Sequence, residues 1–120
     1  MEISIIGYRA HLRDELEAQL RMFLGDNCPI ALRQYPIEPS DCRADKPEDA
    51  IAAFVVIDEV WAINAAEQAV HWAEDFPVVM AATHPQYAIE AIRMKARHYI
   101  LFPLEQAEIG EALRRAGVIL

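Results

Sequence analysis

The chain of 120 residues is 54% hydrophobic and 25% charged, the proportions of a folded globular domain, long enough for one core and too short for two. Its 19 acidic against 11 basic side chains leave a formal charge of −8, a surface that repels phosphate backbones and excludes direct nucleic-acid binding. No apolar run approaches the roughly 18–20 residues of a membrane span, and no basic start leads into an apolar stretch, so the expectation is a cytoplasmic protein without membrane contact.

Short apolar runs alternate with amphipathic segments, the pattern of a parallel sheet wrapped by helices. Residues 3–6 read as a first strand, ended by Gly7. A helix follows from about Ala10, with Leu12, Leu16, Leu20 and Phe23 or Leu24 recurring as one apolar stripe, and Gly25-Asp26-Asn27 stops it. Cys28 and Cys42 lack metal-type spacing and read as reduced thiols. Residues 30–35 form a second strand, whose Arg33 and Gln34 suit a sheet edge. Residues 36–50 (PIEPSDCRADKPEDA) hold three prolines and few apolar side chains, which predicts the most mobile segment and at best a short helix after Lys46-Pro47.

Residues 53–57 (AFVVI) are the central strand, apolar on both faces. This strand delivers Asp58 and Glu59 at its C-terminal end, where an α/β protein usually places chemistry or ligands. The next helix is predicted to bury Ile63, Ala66, Val70 and Ala73. Residues 78–82 give a fourth strand, and Thr83-His84-Pro85-Gln86 has the spacing of a capping box that opens a helix burying Ile89, Ile92 and Ala96. Residues 98–101 give a fifth strand, and Pro103 is expected to start a last helix with Ile109, Ala112, Leu113 and Ala116 inward. The sum is a single α/β domain over 1–120, a flavodoxin-like (CheY-like) doubly wound five-stranded parallel sheet of order 2-1-3-4-5 with a short or missing second helix. His11, His71, His84 and His98 are scattered, with no paired spacing, so neither a metal nor a cofactor is expected.

Residues 87–113 (YAIEAIRMKARHYILFPLEQAEIGEAL) resemble response-regulator receiver domains, most nearly those that precede LytTR-type DNA-binding domains. With AFVVID as the phosphoacceptor strand and ISIIGYRAHLRDELEAQL as the first strand and helix, the resemblance spans most of the chain. It implies Asp58 as the phosphoacceptor position and Tyr99 as the switch aromatic. The family's magnesium-binding acidic pair falls on Gly7 and Tyr8, and its phosphate-binding lysine on Phe102. Its Thr falls on Ala82, with Thr83 one position late, and the residues after the phosphoacceptor fall on Trp61 and Ala62. Magnesium is a hard ion that wants carboxylate oxygens, and a transferring phosphoryl group needs its charge neutralised; Asp58 alone supplies neither.

The resemblance thus implies a degenerate receiver, or pseudo-receiver. Asp58 would be inert, held by backbone N–H groups or by a nearby cation such as Arg9, and the apolar replacements would fill the old acidic pocket. Such a domain is not an enzyme and works by protein–protein contact, with an output domain, a partner or a second copy. The family's usual partner face, its helix 4, strand 5 and helix 5, would carry Glu90, Arg93, Met94, Arg97, Tyr99, Glu105, Glu108 and Arg115. Two alternatives stand beside it: a conventional phosphoacceptor using Asp58 with an atypical metal arrangement, and a sensor of a small ligand in the apolar crevice at the strand ends.

Overall fold

A computed structural model describes residues 1–40 and 45–119. Five strands, β1 (Glu2–Gly7), β2 (Ala31–Pro36), β3 (Ala50–Ile57), β4 (Val78–Ala82) and β5 (His98–Leu101), form one parallel sheet of order β2-β1-β3-β4-β5. Four α-helices surround it: α1 (Ala10–Leu24), α2 (Ala62–Val70), α3 (Pro85–Arg93) and α4 (Gln106–Arg115). The expected fold class and strand order are those of the molecule. Among the described residues between β2 and β3 there is no helix where a regular alternation would supply one; residues 41–44 of the segment expected to be mobile lie outside the described residues. Cys28 is a free thiol; Cys42 lies outside the described residues.

The two faces of the sheet bury separate cores. Ile3, Ile5, Phe54, Val56 and Val79 pack beneath α1 and α4, with Leu12, Leu16, Leu20, Ile109, Ala112 and Leu113. Ile6, Val55, Ile57 and Met80 pack beneath α2 and α3. A fully buried Phe, Leu or Ile contributes about 1.5–3 kcal/mol by leaving water, so the central strand β3, buried on both faces, is the anchor of the fold.

Two helix faces and one helix start differ from the sequence pattern, while Ile109, Ala112, Leu113 and Ala116 are buried as expected. In α2 the buried residues are Ala62, Ala65, Ala66 and Ala69; Ile63 and Val70 are half-buried and Ala73 is exposed. The helix turns its smallest side chains to the sheet, which lets its backbone approach closely. It then tightens into a 3-10 turn (His71–Glu74) that swings Trp72 inward against Phe76. In α3 the inward residues are Ala88 and Ala91, while Ile89 and Ile92 are 54% and 62% exposed. Ala96, beyond the helix, is half-buried. α4 begins at Gln106 rather than at Pro103, because Leu104 first turns into the core. The Phe102-Pro103 peptide is cis.

The expected capping box does not form. Pro85 occupies the first position of α3, which makes His84 the N-cap, one residue too late for the Thr83 spacing. His84 Nδ1 accepts from the Gln86 N–H at 3.4 Å, and the Thr83 hydroxyl donates to the Ile57 carbonyl at 3.5 Å.

Candidate functional site

The site lies at the C-terminal ends of β1 and β3. β3 runs into Asp58, whose side chain is 2% exposed. Asp58 Oδ2 accepts from Arg9 Nη1 at 2.7 Å, and Glu59 Oε1 accepts from Arg9 Nη2, so one guanidinium bridges both carboxylates. Charge-assisted bonds of this kind are the strong ones, and arginine's planar fork suits two acceptors at once. Asp58 Oδ1 is buried and has no hydrogen-bond partner among the described residues. Glu59 first and Asp58 second hold the Arg9 pKa above its ordinary value, so Arg9 is a permanent cation. Its guanidinium carbon lies 5.6 Å from the Tyr8 ring centroid, and the Tyr8 ring meets Trp61 edge-on at 5.2 Å.

Gly7, the last residue of β1, is buried because β1 and β3 approach closely there. A Cβ on Gly7 would lie 2.9 Å from Val56 Cβ and 3.3 Å from Val56 Cγ2. This position therefore has no room for a carboxylate unless the strands move. Ala82 is fully buried, and its carbonyl accepts from the Phe102 N–H at 2.9 Å. Phe102 is half-buried and packs against the α1/α4 core. The Thr83 N–H donates to the Ile57 carbonyl at 3.1 Å, which fixes the end of β4 beside Asp58.

The structure thus gathers Tyr8, Arg9, Asp58, Glu59 and Trp61 by direct contacts and sets Thr83 beside the β3 end. Among the described residues no group of three or more His, Cys, Asp and Glu side chains converges as a metal site. Tyr99 stands apart on β5, 36% exposed and stacked on His98 at 5.9 Å. Of the other residues expected on the partner face, Arg93 pairs loosely with Glu90 at 3.5 Å, and Arg97 donates to the Arg115 carbonyl at 3.2 Å. Arg115 also donates to Glu111 at 2.8 Å; Glu105 and Glu108 are exposed, and Met94 is half-buried against the α2/α3 core.

Arg13 escapes sequence reasoning. It is 8% exposed, and its Nη1 donates to the carbonyls of Gly7 at 2.9 Å and Tyr8 at 2.6 Å. The available signal is its place on the flank of the Leu12–Leu16–Leu20 stripe, one turn after Arg9.

No family profile and no curated protein matches the sequence. Solved structures do match its fold. The chain is similar to a response regulator receiver protein from Pseudoalteromonas atlantica, at 16% identity and a TM-score of 0.69 over 98% of both chains. It is similar to a protein described as a pilus assembly protein from Burkholderia thailandensis, at 18% identity and 0.68 over 99% of both. A third match is NtrX from Brucella abortus, at 17% identity and 0.69 over 96% of this chain and 26% of that one. The architecture is therefore that of response-regulator receiver domains. At these identities the likeness is one of fold, and function has to be argued from the site.

Proposed function

We propose that this chain is a pseudo-receiver: a signalling domain, not an enzyme, that acts through protein–protein contact while Asp58 stays unphosphorylated. The observation that carries this reading is the Arg9 guanidinium bridging Asp58 and Glu59. A built-in cation takes the place that a metal ion would need on these two carboxylates. Displacing it means separating two charge-assisted contacts, one of them to the almost wholly buried Asp58 and the other to the part-exposed Glu59. Gly7 and Tyr8 offer no replacement carboxylates, and Phe102 offers no ammonium group for phosphoryl oxygens. Ile89, Ile92 and Tyr99 are outward, and Ile92 and Tyr99 line one groove with Arg97, a mix of apolar and charged side chains that a partner contact uses. The full-length likeness to a protein described as a pilus assembly protein supports a role exerted by contact. The similarity of residues 87–113 to receivers of LytTR-type regulators favours an output domain as the partner.

The test has two arms. Beryllofluoride with magnesium, a mimic of the acyl phosphate, is expected to leave Trp61 fluorescence and the amide spectrum around Asp58 unchanged. In analytical ultracentrifugation or partner pull-down, Asp58→Ala should behave like wild type, while Arg97→Glu should weaken association. The reverse pattern would mean that Asp58 still controls the partner surface, and the pseudo-receiver reading would be abandoned.

A further inference from the structure

We infer that Arg13 is the positioning residue of the Arg9 clamp, an inference that rests on the reading of Asp58 as held by Arg9. The turn from β1 to α1 carries Tyr8 and Arg9, yet the helix N-cap, Arg9, makes no side-chain cap bond. Something else must fix this turn. Arg13 lies one helical turn on, with its side chain folded back beneath the turn. Nη1 donates to the carbonyls of Gly7 and Tyr8, and Nε donates to Gln34 Oε1 at 2.9 Å. Gln34, on β2, is itself held by α1, its amide donating to Asp14 Oδ1 at 2.8 Å and to Glu17 Oε1 at 3.3 Å.

The network runs from the edge strand to Asp58 without a gap. Gln34 orients Arg13, Arg13 grips the carbonyls of Gly7 and Tyr8, which directly precede Tyr8 and Arg9, and Arg9 bridges Asp58 and Glu59. The Gly7 carbonyl also accepts from the Ile37 N–H at 3.0 Å, so it keeps a partner without Arg13. The grip on the Tyr8 carbonyl, directly before Arg9, is the contact that Arg13 alone supplies among the described hydrogen bonds. A lysine would bring one ammonium to these carbonyls but could not hold Gln34 as well, because the guanidinium fork presents several donors in a fixed plane.

Carbodiimide-driven coupling of an amine to carboxylates, read residue by residue by peptide mass spectrometry, separates the clamp from its support. In wild type, Asp58 should label far more slowly than the exposed Asp75, and Arg9→Ala should raise the Asp58 rate several-fold. Arg13→Met should raise Asp58 toward the Arg9→Ala level, Arg13→Lys should fall between, and Gln34→Leu should give a smaller rise. Buried Glu2, at the far end of β1, serves as the reporter of global opening and should stay slow throughout. If Arg9→Ala opens Asp58 while Arg13→Met and Gln34→Leu leave it at the wild-type rate, the positioning role is wrong and the clamp survives. If Arg9→Ala itself leaves Asp58 slow, the clamp reading fails. Should Arg13→Met open Glu2 together with Asp58, the variant has lost its fold and Gln34→Leu decides: a wild-type rate at Asp58 overturns the inference.

Discussion

Gly7→Ala tests the reason why the first carboxylate of a receiver's pair has no place here. The new Cβ would meet Val56 Cβ at 2.9 Å, Val56 Cγ2 at 3.3 Å and Arg13 Cγ at 3.4 Å. Val56 is fully buried, and its Cβ is one bond from the backbone of β3, a strand paired on both sides. A rotamer change moves only the Cγ atoms, so relief requires β1 and β3 to separate. Overpacking of this kind costs about 1–3 kcal/mol. Against it stands a gain of about 0.4–1 kcal/mol that alanine brings where its conformation fits, by restricting the unfolded chain. The central values, about 2 against about 0.7 kcal/mol, leave a net loss of about 1.3 kcal/mol, a fall in Tm of roughly 4–6 °C for a domain of this size. Thermal melts by circular dichroism, with urea titration to check that the m-value is unchanged, give the number. Gly7→Asp should be worse, since it adds a carboxylate to the same contact. An unchanged or higher Tm for Gly7→Ala would refute the steric argument.

Three further outcomes follow from particular groups. Ile89→Lys with Ile92→Lys should leave stability within about 0.5 kcal/mol, because both side chains already face water, while partner binding should weaken; a large loss in Tm would mean these residues are core. Burial first, and the Arg115 charge second, lower the His98 pKa, so the folded state binds this proton less readily than the unfolded chain does. Stability should therefore fall as pH drops from the ordinary histidine range toward the folded pKa, and His98→Gln should flatten that part of a Tm-against-pH profile. Magnesium titration followed by Trp61 and Trp72 fluorescence should show no saturable change up to about 10 mM, since such sites depend on carboxylates and bound phosphate; saturation near 1 mM would contradict the role given to Arg9.

The strands were legible because a parallel sheet covered on both faces writes itself as unbroken apolar runs, and β4 and β5 begin and end where the sequence predicts. Helix faces were less so. In α2 and α3 a larger apolar set (Ile63 and Val70; Ile89 and Ile92) lies beside an alanine set one position away. Periodicity fits either set, and size favours the wrong one; close approach to the sheet selects alanine, which hydropathy undervalues. Asp58 at the end of β3 and Arg9 as its cation were readable from position and charge. The second half of the bridge, to Glu59, depends on side-chain reach that no spacing encodes. Arg13 was hidden for a different reason: a charged side chain on the flank of a leucine stripe reads as solvated until the carbonyls of Gly7 and Tyr8 are seen to face it.

The central claim is that Asp58 does not accept a phosphoryl group, and the direct measurement is intact-protein mass spectrometry after incubation with acetyl phosphate and magnesium. The chain should keep its unmodified mass, as Asp58→Ala does under the same treatment. A phosphoryl adduct that appears in wild type, maps to Asp58 and is lost in Asp58→Ala would contradict the account, because it would mean that Arg9 yields the carboxylate to a metal and a phosphoryl donor.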